Sequence, residues 1–317
     1  MDASYDIVII GGGPAGLTAG IYASRARMKA VLLEKMVCGG QALTTDTIEN
    51  FPGFPDGIKG PELAAWMTKQ AEHFCLEIRT AEVSKLILKK EQAGPFGVEL
   101  ADGHTLKAVS IILATGAKWN TLNVPGENEL LSRGVSYCAT CDGPLFRGKD
   151  VVVVGGGDTA IEDALFLTKF VNSVTIVHRR DRLRATKILQ ERAIANKKIG
   201  MCLESVCVEI IGKNKVEGVK IKGVNTNKEK TLKADGVFVL IGLKANSDIV
   251  KSIVKTDEHG YVICDDDMKT SVDGIFACGD VRRKLLRQVV TATGDGATAA
   301  TSAEHYVERL KGMEYPR

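Results

Sequence analysis

No stretch of the 317-residue chain approaches the ~18 consecutive apolar residues that a bilayer-spanning helix needs, so a helical membrane protein is excluded. Excess charge is also missing. Lys and Arg total 42 and Asp and Glu 39, and the resulting +3 is too small to make nucleic acid or an anionic membrane a default partner. Cysteine is scarce: eight residues (38, 75, 138, 141, 202, 207, 264 and 278) are too few to staple a secreted domain of this length. Six stand among apolar or small neighbours and read as buried free thiols in a reducing cytoplasm. The acidic start Met1-Asp2-Ala3-Ser4-Tyr5-Asp6 runs straight into a strand-like segment, so no signal peptide is expected. With 44% hydrophobic and 26% charged residues, disorder, collagen and coiled coil are excluded too.

What the chain has is glycine, 33 residues of it, in clusters. Sliding the sequence against itself aligns Asp6-Ile-Val-Ile-Ile-Gly11-Gly-Gly13-Pro-Ala-Gly16 with Asp150-Val-Val-Val-Val-Gly155-Gly-Gly157-Asp-Thr-Ala160, at an offset of 144. Each copy is an unbroken apolar strand, a triple-glycine turn and a segment with helical apolar spacing. That spacing is carried by Leu17, Ile21 and Tyr22 in the first copy and by Ile161, Ala164, Leu165 and Thr168 in the second. A second apolar strand follows each, Ala30-Val-Leu-Leu33 and Val174-Thr-Ile-Val177. Strands without alternation belong in a parallel sheet covered on both faces, so each copy reads as a βαβ unit. The glycines serve a tight turn, a close backbone approach to a pyrophosphate and helix–strand packing. The helix N-terminus then offers free N–H groups to phosphate.

The two copies differ at the end of the second strand, where Glu34 is replaced by His178. A carboxylate accepts hydrogen bonds from ribose hydroxyls, as FAD or NAD would offer. The second copy has His178-Arg179-Arg180, then Arg184. At most places such a run is a solvated basic face, but after a dinucleotide turn the guanidiniums suit a 2′-phosphate, which points to NADPH.

The repeat continues into Ile111-Ile-Leu-Ala-Thr-Gly116 and Phe238-Val-Leu-Ile-Gly242, which read as strands closing each module. Between lie alternating stretches, 83–109 and 206–234, expected to be small antiparallel insertions with turns at Ala93-Gly-Pro and Gly212-Lys-Asn. The expected fold class is therefore α/β, with two Rossmann-like, ββα-type domains, the second inserted into the first. The first would comprise 1–118 and 247–317, the second 119–246.

Just before the second βαβ unit lies Ser136-Tyr-Cys138-Ala-Thr-Cys141-Asp142-Gly143-Pro144. Two Cys at this spacing can form a small disulfide ring, and one thiol of such a dithiol often has a lowered pKa. Half a zinc site and a pair of inert thiols are the competing readings; zinc would need further ligands, and no second Cys-x-x-Cys or His pair accompanies this one. Asp142 could move a proton as the dithiol opens and closes, or be only the turn residue before Gly-Pro.

Taken together, these residues resemble the low-molecular-weight, bacterial-type thioredoxin reductases over almost the whole chain. The resemblance rests on Gly11-Gly-Gly-Pro-Ala-Gly16, Gly39-Gly-Gln41, Glu49-Asn-Phe-Pro-Gly53, Ala114-Thr-Gly116, Cys138-Ala-Thr-Cys141-Asp-Gly143, Gly155-Gly-Gly-Asp-Thr-Ala160, His178-Arg-Arg-Asp181 with Arg184-Ala185, Gly274-Ile-Phe-Ala-Cys-Gly-Asp280 and Arg287-Gln288. It implies FAD contacts from Gly11, Gly13, Pro14, Ala15, Gly16, Glu34, Gly40, Gln41, Asn50, Val83, Ala114, Thr115, Gly116, Gly279, Asp280, Arg287 and Gln288. Asp280 would meet the ribityl or phosphate region and Gln288 the ring. NADPH contacts would come from Gly155, Gly157, Asp158, Thr159, Ala160, His178, Arg179, Arg180 and Arg184. A homodimer and a thioredoxin-like partner are implied as well. Two departures stand out: Cys38 precedes Gly39-Gly40, and Arg282-Arg283-Lys284 replaces a more acidic stretch, which unsettles the local charge expected there.

The resemblance also implies a route: NADPH to flavin, flavin to a Cys138–Cys141 disulfide, then thiol–disulfide exchange with thioredoxin. Cys141 would face the flavin, Cys138 would attack the partner, and Asp142 would serve as acid and base. Nicotinamide and dithiol both ride on the inserted module yet must meet one flavin, so a hinge rotation about the two short connections is expected. Two rivals are a related flavoprotein reductase serving a peroxidase or glutaredoxin-like partner, possibly from NADH or ferredoxin, and a flavin-binding redox sensor.

Overall fold

Apolar runs without alternation become parallel strands, and the glycine turns set where they end. The computed structural model describes residues 4–45, 47–88 and 95–313. The start Met1–Ala3 and the expected turn at Ala93-Gly94 lie outside these residues. Two compact units emerge: Met1–Lys118 with Lys244–Arg317, and Trp119–Leu243. The return crossing falls at 243/244, a few residues before the expected 246/247. Asn246 is tied into the first unit, its side-chain amide donating to Thr115 O at 2.9 Å and its carbonyl accepting from Thr115 Oγ1 at 2.7 Å.

The helices are α1 (Pro14–Arg25), α2 (Gly60–His73), α3 (Ala139–Asp142), α4 (Asp158–Leu167), α5 (Lys187–Ala195) and α6 (Val289–Lys311). In the first unit a sheet runs Glu77–Thr80, Ala30–Glu34, Ser4–Ile10, Thr105–Leu113, with the antiparallel hairpin strands Phe96–Leu100 and Val83–Ile87 beyond. Ile10 lies opposite Leu33 on one side and Leu113 on the other. The 83–109 stretch is thus no separate insertion. The Thr105–Leu113 strand is long enough to pair the hairpin with its first half and the short strand Ile275–Ala277 with its second. Ile7, Ile9, Leu32 and Ile112 pack under the helices, while Val8, Val31, Ile111 and Leu113 face a second core with Val250, Val254 and Val262.

The second unit repeats the plan with five parallel strands, in the order Ile199–Cys202, Ser173–Val177, Asp150–Val154, Gly236–Val239, Val135–Ser136. Here Val151, Val153, Ile176 and Phe238 face α4 and α5. Val152, Val154, Val237 and Val239 face a three-stranded antiparallel sheet made from 205–212, 216–223 and 229–233. That is the ββα arrangement, with helices on one face and a small sheet on the other. The repeat holds to the residue, since α1 begins at Pro14 and α4 at Asp158, offset by 144 as in the sequence. Two spacing residues fall elsewhere than expected. Tyr22 points outward, 45% exposed, and Thr168 caps α4 from just beyond its end. Among the described residues no helix is long and apolar enough to cross a membrane.

Helix α6 lies directly against α1. A side chain at Gly296 would put its Cβ 2.2 Å from Ala15 O, whereas Gly294, two residues earlier on the exposed side, has open space around it. The two positions therefore respond oppositely to the same change. Gly296→Ala should destabilise by about 1–3 kcal/mol through forced separation of the helices. Gly294→Ala should stabilise by up to ~1 kcal/mol through helix propensity. Urea midpoints of the two variants check this; equal midpoints would contradict the packing.

Candidate active site

The first turn is held by close backbone approach. A Cβ at Gly11 would lie 2.3 Å from Ala114 O and one at Gly16 1.9 Å from Gly11 O, so Gly11, Gly16 and Ala114-Thr115 form one tight knot, while Gly116 has open space where a Cβ would stand. Gly13 differs: its nearest foreign atom would be 3.9 Å away, at Gly40, which leaves an open face where α1 begins with no side-chain cap. Pro14 occupies the first helical turn, where a missing N–H costs nothing, and Ala15 is buried behind it. Glu34 accepts from the Gly12 amide at 2.7 Å through one oxygen and from the Met36 amide at 3.2 Å through the other, which orients its carboxylate beside the turn. Gln41 donates its amide to Ala117 O. Asn50 and Gln288, 238 residues apart, meet through a 2.9 Å hydrogen bond, and Gln288 caps α6 in a reciprocal box with Thr291. Val83 starts the edge strand, half-buried and opposite Leu100.

Gly279 takes a left-handed φ of +73° against Ala15, and Asp280 follows it. One carboxylate oxygen of Asp280 is buried with no hydrogen-bond partner. Burial pushes this carboxyl above its ordinary range, while the Lys284 and Arg287 cations oppose the shift. The Arg287 guanidinium stacks 4.1 Å from the Tyr261 ring centroid. An open helix start, a carboxylate oriented beside the turn and a buried acceptor without a partner fit a dinucleotide bearing a polyhydroxyl chain, as FAD does.

In the second unit a Cβ on Gly155 would meet Leu240 O at 2.4 Å, and one on Gly156 would strike the His178 ring at 2.3 Å. Gly157 again stands open, its nearest neighbour being Arg184 Nη2 at 3.9 Å. The Arg184 and Ala185 amides donate to Gly156 O at 2.7 and 3.1 Å, so the basic loop is pinned onto the turn. Asp158 accepts from the Thr186 amide at 2.6 Å, which gives its carboxylate a structural task. Ala160 is buried, while Thr159, Arg179, Arg180 and Arg184 are exposed, the three arginines lying near enough to His178 to act on its charge. His178 is buried with Nε2 unpartnered. Clustered guanidiniums with an orphaned imidazole nitrogen among them fit a phosphorylated ribose.

Cys138 and Cys141 are joined in a disulfide, their Cα atoms 5.3 Å apart, and so neither is available to zinc in this state. Among the described residues no group of three His, Cys, Asp or Glu could hold a metal. Cys138 is the N-cap of α3, and its Sγ lies 3.2 Å from the Cys141 amide and 3.4 Å from Thr140 Oγ1. Ser136, which carried no sequence signal beyond its place next to the motif, organises the rest. Its hydroxyl donates to Asp142 Oδ2 at 2.6 Å and accepts from the Cys138 amide at 3.1 Å. Beside it Tyr137 stacks on Trp119 and donates to Glu127 at 2.8 Å. Glu127 is buried and also takes the Leu122 and Asn123 amides, so the dithiol's flank is fixed by a satisfied carboxylate. Neither Glu127 nor Asn246 was marked by any motif.

Of the other cysteines, Cys207 and Cys278 are buried and Cys38, Cys202 and Cys264 partly so, but Cys75 is exposed just past the end of α2. It takes a left-handed φ of 61° there, which places its side chain outside the core. Burial pushes the Cys38 and Cys207 thiols up to about 11, the reverse of an activated thiolate.

A dithiol and two dinucleotide turns in one chain are the parts of a pyridine nucleotide-linked disulfide reductase. A family model described as pyridine nucleotide-disulphide oxidoreductase matches residues 5–296, and the chain belongs to that family. It is 47% identical over 308 residues to a thioredoxin reductase of Bacillus subtilis (strain 168), covering 97% of this chain and 96% of the relative. The crystal structure of thioredoxin reductase from Streptococcus pyogenes MGAS5005 superposes with a TM-score of 0.92 at 47% identity, covering 98% of this chain and 100% of that one. A thioredoxin reductase from Giardia duodenalis gives 0.90 at 40% identity, covering 96% of this chain and 99% of that one.

Burial first, then Arg184, Arg180 and Arg179, hold the His178 imidazole below its ordinary range. The unfolded chain takes up a proton near pH ~6.5 that the folded chain refuses, so stability is present above that pH and lost as pH falls below it. Urea midpoints should drop between pH about 7.5 and about 5.5, and His178→Gln should drop less. An equal drop in both proteins would remove His178 from the account.

Proposed function

We propose that this protein is an NADPH-dependent thioredoxin-disulfide reductase. The observation that carries the reading is the Cys138–Cys141 disulfide, with Ser136 and Asp142 hydrogen-bonded to one another beside it, in the unit whose glycine turn has Arg184 pinned against it. In this reading the unit 1–118 with 244–317 is the FAD-binding domain, and the inserted unit binds NADPH and carries the dithiol. The alternative of a peroxidase or glutaredoxin-like partner is not favoured, because relatives matching nearly the full chain carry the name thioredoxin reductase.

When bound, FAD supplies the two-electron relay between the nicotinamide and the disulfide. Gly13 and the start of α1 would hold its pyrophosphate, Glu34 its ribose, and Asp280 its polyhydroxyl chain. Gly157 and the start of α4 would do the same for NADPH, with Arg179, Arg180, Arg184 and His178 around the 2′-phosphate. Reduction breaks the S–S bond, and the two sulfurs receive two electrons and take up two protons, the two that later leave with the reduced partner. The Cys141 amide at 3.2 Å and Thr140 Oγ1 at 3.4 Å then favour charge on Cys138 Sγ. Cys138 attacks one sulfur of the partner disulfide and releases the other as a thiolate, forming a mixed disulfide. Cys141 attacks that bond, restores the Cys138–Cys141 disulfide and frees the partner as a dithiol. Asp142, oriented by Ser136, takes a proton from the attacking thiol and returns it to the departing one. The six other cysteines are unpaired, which supports a cytoplasmic setting, and we read the working form as a homodimer.

The test uses FAD-loaded protein. Cys138→Ser and Cys141→Ser should each leave flavin bleaching by NADPH intact and abolish thioredoxin reduction. Arg184→Ala should raise the KM for NADPH about tenfold and leave that for NADH unchanged. Thioredoxin reduction surviving in both cysteine variants would overturn the assignment.

A further inference from the structure

The basic stretch Arg282-Arg283-Lys284 after Gly279-Asp280 finds its counter-charge on α6. Asp295 accepts from three donors at once: the Gly279 amide at 3.1 Å, Arg282 Nη1 at 2.9 Å and Lys284 Nζ at 2.9 Å. The cluster is largely buried, with side-chain exposures of 11% for Asp295, 14% for Arg282 and 7% for Lys284. Arg282 is held from its other side by Cys264 Sγ, 3.1 Å from Nε. Lys284 Nζ also stands 3.8 Å from Asp280 Oδ1, near enough to balance its charge but too far for a hydrogen bond, and that oxygen is buried without a partner. A buried carboxylate would ordinarily be closed off by the nearest cation. Here the cation is pulled away by a second carboxylate that also grips the backbone amide preceding Asp280.

We infer that Asp295 is a positioning residue of the cofactor site: by holding Lys284 and the Gly279 amide it keeps the Asp280 carboxylate charge-balanced yet free to accept a cofactor hydroxyl. The inference rests on reading the first glycine turn as the FAD site. Gly279 ties the two together, because its left-handed turn sits against Ala15 at the start of α1. With Asp295 neutralised, Lys284 closes onto Asp280 and competes with the cofactor for the same oxygen.

The rate of FAD release from holoprotein, read from the recovery of flavin fluorescence, tests this. Asp295→Asn should release FAD about tenfold faster, the loss of one charged hydrogen bond to the cofactor. At pH about 8, where the Asp280 carboxylate stays ionised without Lys284, adding Lys284→Gln to Asp295→Asn should recover most of that loss, while NADPH affinity of both variants stays at the wild-type value. Lys284→Gln alone keeps the Asp295–Arg282 pair, so it remains informative if Asp295→Asn fails to fold. The charged groups facing Asp280 are Lys284, Arg287 and Asp295, and Tyr261 lies near. Removing Lys284 lets burial raise the Asp280 carboxyl further, so FAD release from this variant should quicken as pH falls from about 8 to about 6, more than in wild type. Wild-type release rates in Asp295→Asn, losses that simply add in the double variant, or a pH profile for Lys284→Gln that matches wild type would each overturn the inference. A wild-type protein that retains no FAD would overturn the underlying reading of the first turn as well.

Discussion

Both glycine turns in this chain depend on one steric constraint, used twice. At the end of the strand before each glycine turn, Ser4–Ile10 and Asp150–Val154, the backbone must pass so close to the carbonyl after the closing strand that a side chain would overlap it. The Cβ of Gly11 would fall 2.3 Å from Ala114 O and that of Gly155 2.4 Å from Leu240 O. Ala114 and Leu240 occupy equivalent places, each one residue past the strand residue that pairs with the last strand residue before the turn, Leu113 with Ile10 and Val239 with Val154. Only glycine permits this approach, and the approach sets the helix N-terminus over the C-terminal edge of the sheet, where a phosphate is best met.

From that shared platform the units diverge by what surrounds the open face. The first has oriented carboxylates, Glu34 held by two amides and Asp280 balanced by the Asp295–Lys284–Arg282 cluster. The second has cations, carried on a loop that its own backbone pins to the turn through Gly156 O. The dithiol adds a third element. It sits on a helix of only four residues, and its geometry depends on neighbours: Ser136 joins Asp142 to the Cys138 backbone, and Glu127 fixes Tyr137 beside it. The chain's part in the chemistry is accordingly to orient and to hold charge and protons.

Much of this was legible in the sequence because it is local. A strand, a glycine turn and a helix lie within thirty residues, and the repeat at 144 made the second copy as readable as the first. The Cys-x-x-Cys and the switch from Glu34 to His178 are likewise local signals. What escaped was carried by contacts between distant segments. Asn50 with Gln288, Asn246 with Thr115, and Asp295 with Arg282 and Lys284 leave no mark on spacing or composition. The basic stretch after Asp280 looked like an anomaly for the same reason: its neutralising partner stands on another element. At 83–109 alternation reveals a hairpin but not which edge it joins, and here it extends the main sheet through the Thr105–Leu113 strand.

Reducing equivalents from the nicotinamide end on the Cys138–Cys141 pair. An anaerobic titration of FAD-loaded protein with NADPH measures this directly, by counting equivalents consumed before the flavin is fully bleached. Wild type should consume about two, one for the flavin and one for the disulfide, and a Cys138→Ser/Cys141→Ser double variant about one. A wild-type protein that bleaches with about one equivalent and retains its disulfide would contradict the account.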